Sequence, residues 1–105
     1  MIVKVPVVIL AGAESDIQRI YNQFTRHHDG AGDEFMDRLG GVLRQLEAFP
    51  ESAPLRMLGF RRALVPGHVY GVYYQIELRG VMIHAVADLR QDPAWVERTL
   101  RGRLE

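Results

Sequence analysis

Apolar positions in this chain run first in a block, then at helical spacing, then in strict alternation. From Ile2 to Leu10 nearly every residue is apolar and several are β-branched. That predicts a strand buried on both faces or covered by helices. Pro6 interrupts its ladder of donors, so a neighbour there must be absent or bulged. From Ala13 to His28 the spacing turns helical. Ile17, Ile20, Tyr21 and Phe24 fall at i, i+3, i+4 and i+7, one apolar stripe. Ser15 and Gln18 have capping-box spacing near its start. Asp29 to Gly32 supplies turn residues. Gly32 to Phe49 predicts a second helix, with Phe35, Leu39, Val42, Leu46 and Phe49 in its stripe and Met36 and Leu43 widening it. The pair Gly40-Gly41 weakens that helix by about 1 kcal/mol per residue and suggests close approach to a neighbour. Pro50 ends it.

The period then becomes two. Leu55 to Val65, Val69 to Leu78 and Val81 to Asp88 predict three strands joined at Pro66-Gly67-His68 and Arg79-Gly80, an antiparallel meander. Tyr70, Val72, Tyr74, Ile76 and Leu78 share one face. In the last strand Val81, Ile83, Ala85 and Ala87 alternate against Met82, His84, Val86 and Asp88. Asp92-Pro93 opens a short basic helix over Ala94 to Arg103, with Asp as cap and Pro first. The predicted order is β-α-α-β-β-β-α: a helical hairpin on a mainly antiparallel sheet, a two-layer α+β domain over residues 1–105.

With 105 residues, the chain has one modest core and no deep enclosed pocket, so any chemistry belongs on an open face or in a groove. There is no cysteine, which excludes disulfides and thiolate metal sites and suits a reducing cytoplasm. The apolar start resembles a signal peptide only briefly, because Pro6 breaks it and Glu14 and Asp16 follow. No stretch reaches transmembrane length.

Net charge is zero but unevenly placed. Residues 1–53 carry five basic and eight acidic side chains; residues 54–105 carry eight Arg and five acidic side chains. The second half is a candidate anion-facing surface. Arg, which supplies every basic residue after Lys4, suits bidentate contact with phosphate or carboxylate.

Candidate chemistry is sparse. His27 and His28 are adjacent on a helix and point apart, so they do not share an ion readily, and no metal site or cofactor is expected. Phosphate-loop and nucleophile-elbow patterns are absent. Asp33, Glu34 and Asp37 sit at a helix start, where the dipole favours negative charge. Tyr70, Tyr73 and Tyr74 with Arg61, Arg62, Arg79 and Arg90 make either a nucleic-acid surface or ordinary core with solvated charges.

Several segments in order resemble one family. Asp16-Ile17-Gln18-Arg19-Ile20-Tyr21 resembles the D-I-x-x-I-[YW] opening of ParE-like toxins. Leu46-x-x-Phe49-Pro50 resembles the end of their second helix, and Phe60-Arg61-Arg62 the strand after it. Val69 to Ile76 resembles the Y-x-[IV]-x-Y-x-[IV] strand. Val81 to Val86 followed by Arg90-Gln91-Asp92-Pro93 resembles the final strand and its R-R-x-P. The likeness to the RelE/ParE toxins of bacterial type II toxin–antitoxin systems runs from about residue 8 to residue 100 and rests on order and spacing.

That resemblance implies the element order above, with the first strand beside the last. It implies a cytoplasmic, plasmid-stabilisation type of toxin and a cognate antitoxin, acidic or of ribbon-helix-helix type. The antitoxin would cover the hairpin or the sheet at Ile20, Phe24, Leu39 and Leu43, in a heterotetramer or larger assembly. For the target surface it implies Arg61, Arg62, Tyr73, Arg79 and Arg90. The family divides between poisons of DNA gyrase, without a hydrolytic site, and ribosome-dependent mRNA interferases, which need no metal. For the interferase reading the candidates are Arg61, Arg62, Arg90 and His84. Here the interferase-like Arg of the Y-R-[IV] strand falls on Gly71, no Tyr or His follows His84, Lys4 is the lone Lys, and Gln91 and Asp88 replace a further Arg and His. These departures, with zero net charge, favour the non-enzymatic ParE-like branch. The interferase, and an inactive relic that only binds antitoxin, stay open, as does a pairing of Asp88 with Arg90.

Overall fold

A computed structural model describes residues 3–104. The chain runs β1 (Val7–Ile9), α1 (Ala11–His27), α2 (Ala31–Ala48), β2 (Leu55–Met57), β3 (Phe60–Leu64), β4 (Tyr70–Glu77), β5 (Gly80–Asp88) and α3 (Pro93–Leu104). The sheet order is β1-β5-β4-β3-β2, with β1 parallel to β5 and the remaining pairs antiparallel. The predicted α+β arrangement holds, including the first strand beside the last.

Some expectations need correction. The first strand is shorter than Ile2 to Leu10, and Ile2 itself lies outside the described residues. β1 is an edge strand, so Val8 and Ile9 stay partly exposed rather than covered on both faces. Pro6 fits just before it because its carbonyl, not an N–H, is used: Val81 N–H donates to Pro6 O at 2.9 Å. Gly80 makes that approach feasible. Its φ is +128° and an added Cβ would lie 2.3 Å from Pro6 O.

The predicted capping box is not used. α1 begins at Ala11, Leu10 is extended at the cap with no side-chain cap bond, and Ser15 lies inside the helix. Its start is set instead by the sheet, because Leu10 N–H donates to Ile83 O at 3.0 Å and the chain turns straight from β1 into helix. The close approach between α1 and α2 is at Gly32, where a Cβ would meet Thr25 Oγ1 at 2.5 Å and the Tyr21 ring at 2.9 Å. Gly40 and Gly41 meet only the Arg44 side chain of their own helix.

The expected strand Leu55 to Val65 is a hairpin of two. Met57 pairs with Phe60 across Leu58 and Gly59, whose φ values are 52° and 79°. Two positive φ angles in a two-residue loop match the right-handed twist of the flanking strands. Leu58 hides this turn in the sequence, since an apolar residue there continues the alternation.

β5 carries the main departure. Tyr73 pairs with Ala85 and Tyr74 with Ile83, which leaves His84 as an extra residue, a β-bulge. The bulge switches faces midway. Val81, Ile83 and Val86 join the core under α1 and α2, together with Val72, Tyr74, Ile20, Phe35 and Leu39. Ala85 and Ala87 turn to the other face and pack with Phe60, Tyr73, Val96 and Leu100. The expected alternation of Val81, Ile83, Ala85 and Ala87 therefore breaks at His84. α3 covers that second face and adds a partial third layer. Its start is as predicted, with Asp92 Oδ1 accepting the Ala94 N–H at 3.0 Å.

Candidate functional site

Placed in the fold, the cationic candidates separate. Arg61 is on β3 and donates from Nη1 to Ala53 O at 2.7 Å and to Glu51 O at 3.3 Å. Its register partner Tyr74 donates its hydroxyl to Pro50 O at 2.7 Å. Together they fasten the loop after α2 onto the sheet. Burial pushes the Tyr74 phenol above its ordinary pKa, which keeps the hydroxyl a donor. Arg79 is exposed at the β4–β5 turn, 3.6 Å from Glu77. Arg90 lies at the opposite end of β5. Its Nε and Nη2 donate to the two oxygens of Asp88 at 3.0 and 2.8 Å, so the pairing left open by the sequence forms. Those hydrogen bonds hold the Asp88 carboxyl below the usual carboxylate range.

Arg62, Tyr73 and His84 fall on the α3 side of the sheet. Tyr73 is 2% exposed and His84 7% exposed. The His84 ring meets Phe60 edge-on with centroids 5.0 Å apart, and burial pushes its pKa below the ordinary histidine value. Among the described residues, both His84 ring nitrogens and Arg62 Nε are buried without hydrogen-bond partners. Gly71 adjoins this group. A Cβ on Gly71 would meet Leu89 Cδ2 at 2.8 Å and Arg62 Cδ and Cγ at 3.0 Å. Leu89 and the Arg62 stem thus fill the position at which an interferase-like Arg would begin.

The four residues expected at the antitoxin surface divide by depth. Ile20 and Leu39 are core, 0% and 2% exposed. Phe24 and Leu43 are partly buried at its margin. Phe24 packs on Phe35 and Tyr70, with ring centroids 5.5 and 6.1 Å apart. Leu39 and Leu43 line an apolar groove of about 310 Å³ that also takes in Ile9, Ile17, Met36 and Gly40. Ile9 and Met36, at its rim, are 38% and 39% exposed.

Asp16, part of the Asp16–Tyr21 motif, makes contacts that the motif does not announce. Asp16 is 5% exposed. Its Oδ2 accepts the Val86 N–H at 3.0 Å, just after the bulge. Arg103, from the last turn of α3, binds both Asp16 oxygens and also donates to His84 O at 2.9 Å. Arg19 adds a contact to Asp16 Oδ1 at 3.1 Å. No local spacing marks Arg103 as the partner, because the pair is 87 positions apart.

Among the described residues, no helix is long and apolar enough to cross a membrane. No curated protein matches the chain. The fold is similar to a solved chain described as the chromosomal ParDE TA system from P. aeruginosa, with a TM-score of 0.71 and 11% identity, covering 83% of this chain and 98% of that one. The family model of the ParE toxin of type II toxin-antitoxin system, parDE, matches residues 7–93, which spans every strand and the helical hairpin and leaves out most of α3. The chain belongs to the ParE toxin family of type II toxin–antitoxin systems, which implies a cognate antitoxin as its partner.

Proposed function

We propose that the chain is a cytoplasmic growth-inhibiting toxin that acts by binding its target, in the manner of ParE-like inhibition of DNA gyrase, rather than by cutting RNA. The observation that carries this reading is Gly71 itself, a strand position with no side chain, beside which the Leu89 and Arg62 side chains pack. Catalysis of phosphodiester cleavage without metal needs cations aimed at the developing phosphorane and a group to move protons. Where the interferase-like Arg would start, even a Cβ is crowded by Leu89 and Arg62. Of the other cations, Arg61 is engaged with backbone carbonyls, and Arg90 borders a cleft on the α1 side of the sheet, away from Arg62 and His84. His84 is buried.

The apolar groove between α1, α2 and β1 supports neutralisation by an antitoxin segment. A groove lined by Ile9, Met36, Leu39 and Leu43 fits the apolar face of an amphipathic helix. Leu39 and Leu43 line it, whereas Ile20 is a core residue outside its lining and Phe24 borders another cleft.

A second reading, a metal-independent interferase, draws support from Arg62, Tyr73 and His84 lying on one face. It requires α3 to leave that face, because Val96 and Leu100 now pack there. Inducible expression in a bacterial host, with pulse labelling of DNA and protein synthesis side by side, separates the two. Early arrest of DNA synthesis with translation intact is expected. Translation collapsing first would select the interferase. No growth effect, with antitoxin binding retained, would select an inactive relic.

A further inference from the structure

Arg90 does not join Arg61, Arg62 and Arg79, yet it is not isolated. It borders a cleft of about 400 Å³ lined by Gln23, Phe24, Arg26, His27, Tyr70 and itself. The lining holds two guanidiniums, an imidazole, a carboxamide and a phenol, with the Asp88 carboxylate adjoining it on Arg90. We propose that this cleft binds a nucleotide through its phosphate, with Arg26 and Arg90 as the phosphate donors and Tyr70 beside the base or sugar.

The cations suit that role in different ways. Arg90 is held in place by Asp88 through Nε and Nη2, which leaves Nη1 for a ligand on a guanidinium already fixed in orientation. A donor held in this way loses little rotamer freedom on binding. Arg26 makes no ion pair or side-chain hydrogen bond among the described residues, so its whole fork is available. Arg19, Gln23 and Arg26 fall at i, i+4 and i+7 on one face of α1, so Arg19 extends the positive flank.

Size and aromatic content favour a nucleotide over a bare anion or a carboxylate side chain. The volume falls within the range of small-molecule sites and well above what a phosphate ion fills. The Tyr70 ring is fixed by edge contacts from Phe35 and Phe24, with centroids 5.6 and 6.1 Å away. A fixed aromatic ring beside Arg is the pairing that stacks bases while phosphate is held. Burial, with a smaller contribution from Asp88, pushes the Tyr70 phenol above its ordinary pKa, so it stays protonated as a donor. Zero net charge suits one local phosphate better than a long polyanion track.

The cleft is separate from the apolar groove. Glu14, Ile17 and Gln18 border the groove, whereas Gln23, Phe24, Arg26 and His27 border the cleft, roughly 13 Å further along α1 at 1.5 Å per residue. It is also on the α1 side of the sheet, away from Gly71 and Tyr73. Both sites can therefore be filled at once.

The test uses the full-length protein, adenosine 5′-monophosphate, a fluorescein-labelled six-nucleotide single-stranded DNA and a hexaglutamate peptide, with binding read by polarisation and competition. Arg26→Glu and Arg90→Glu should each weaken nucleotide binding by about tenfold or more. Arg56→Glu, an exposed reversal on β2, should change it less than about twofold. Thermal melting checks that each variant is folded, and the exposed Arg26→Glu serves if Arg90→Glu is not. Binding of the monophosphate, displacing the DNA, supports the site with a free nucleotide as ligand; binding of the DNA alone supports it with a strand as ligand. Equal loss in all three reversals, saturable binding of hexaglutamate only, or no saturable binding of any probe overturns it.

Discussion

Asp16 and Arg103, 87 positions apart, are joined side chain to side chain, with Arg103 Nη2 donating to Asp16 Oδ1 at 2.9 Å. The pair ties the first turns of α1 to the last turn of α3 and, through Val86 N–H and His84 O, to both sides of the β5 bulge. A bulge leaves ladder groups without strand partners. Here a carboxylate and a guanidinium satisfy them. Gly12 makes room, since a Cβ there would lie 2.8 Å from Arg103 Cδ.

Asp16→Ala should therefore destabilise the fold by about 3 kcal/mol, because it strands a guanidinium and a buried N–H. Arg103→Met should cost less, since Asp16 keeps Val86 and Arg19 as donors. Chemical denaturation of the two single variants and the double variant measures the coupling. Equal, additive losses would show that the two side chains act independently.

Much of the fold is legible in the sequence where one residue period governs a whole segment. Ile17, Ile20 and Phe24 mark α1, and Phe35, Leu39, Val42 and Leu46 mark α2, because each helix has one side to bury. The β5 bulge is not legible, since Val81 to Ala87 is apolar on both faces apart from His84 and either register reads the same. Leu58 hides a turn for a similar reason. The candidate site is harder still. Arg61, Arg62, Arg79 and Arg90 look alike in sequence, and only the register and the partners Ala53, Glu77 and Asp88 distinguish them. Arg26 and Tyr70 are 44 positions apart and meet across α1 and β4.

Two glycine substitutions should move stability in opposite directions. Gly41→Ala places a Cβ 3.8 Å from Arg44 Nη2, an ordinary contact, and should stabilise α2 by about 0.5–1 kcal/mol. Gly80→Ala must accommodate a φ of +128° and a clash with Pro6 O, and should destabilise by about 2 kcal/mol or more. Melting temperatures of both variants check the pair; a tolerated Gly80→Ala would mean that β1 does not lie against the β4–β5 turn.

The apolar groove makes a distinct prediction for partner binding. Met36→Glu and Leu43→Glu should weaken binding of the cognate antitoxin by about thirtyfold or more while leaving growth inhibition in place. Leu39→Ala, which opens the core, should instead cost about 2–5 kcal/mol of stability. Co-purification with the cognate antitoxin, paired with growth assays, separates these effects. Unaltered antitoxin binding in both Glu variants would place the interface elsewhere.

Stability should rise with pH through the histidine range because of His84. Burial depresses its folded pKa, so the unfolded chain binds the proton more readily. The native state is thus favoured fully above the unfolded value of about 6.5 and loses that advantage as pH falls towards the depressed folded value. Asp88, whose folded pKa is also lowered, contributes in the same sense at lower pH, weakly because the pair is solvent-facing. Urea denaturation between pH 5 and 7.5 should show this slope, and His84→Phe should flatten it. An unchanged slope in that variant would show that His84 is not its source.

Gyrase itself supplies the most direct measurement. Purified toxin, added to a gyrase supercoiling reaction, should block supercoiling and accumulate cleaved DNA, and antitoxin should reverse the effect. In parallel, mRNA on programmed ribosomes should stay intact. Unimpaired gyrase together with cut mRNA would contradict target poisoning and return the chemistry to Arg62, Tyr73 and His84 beneath α3.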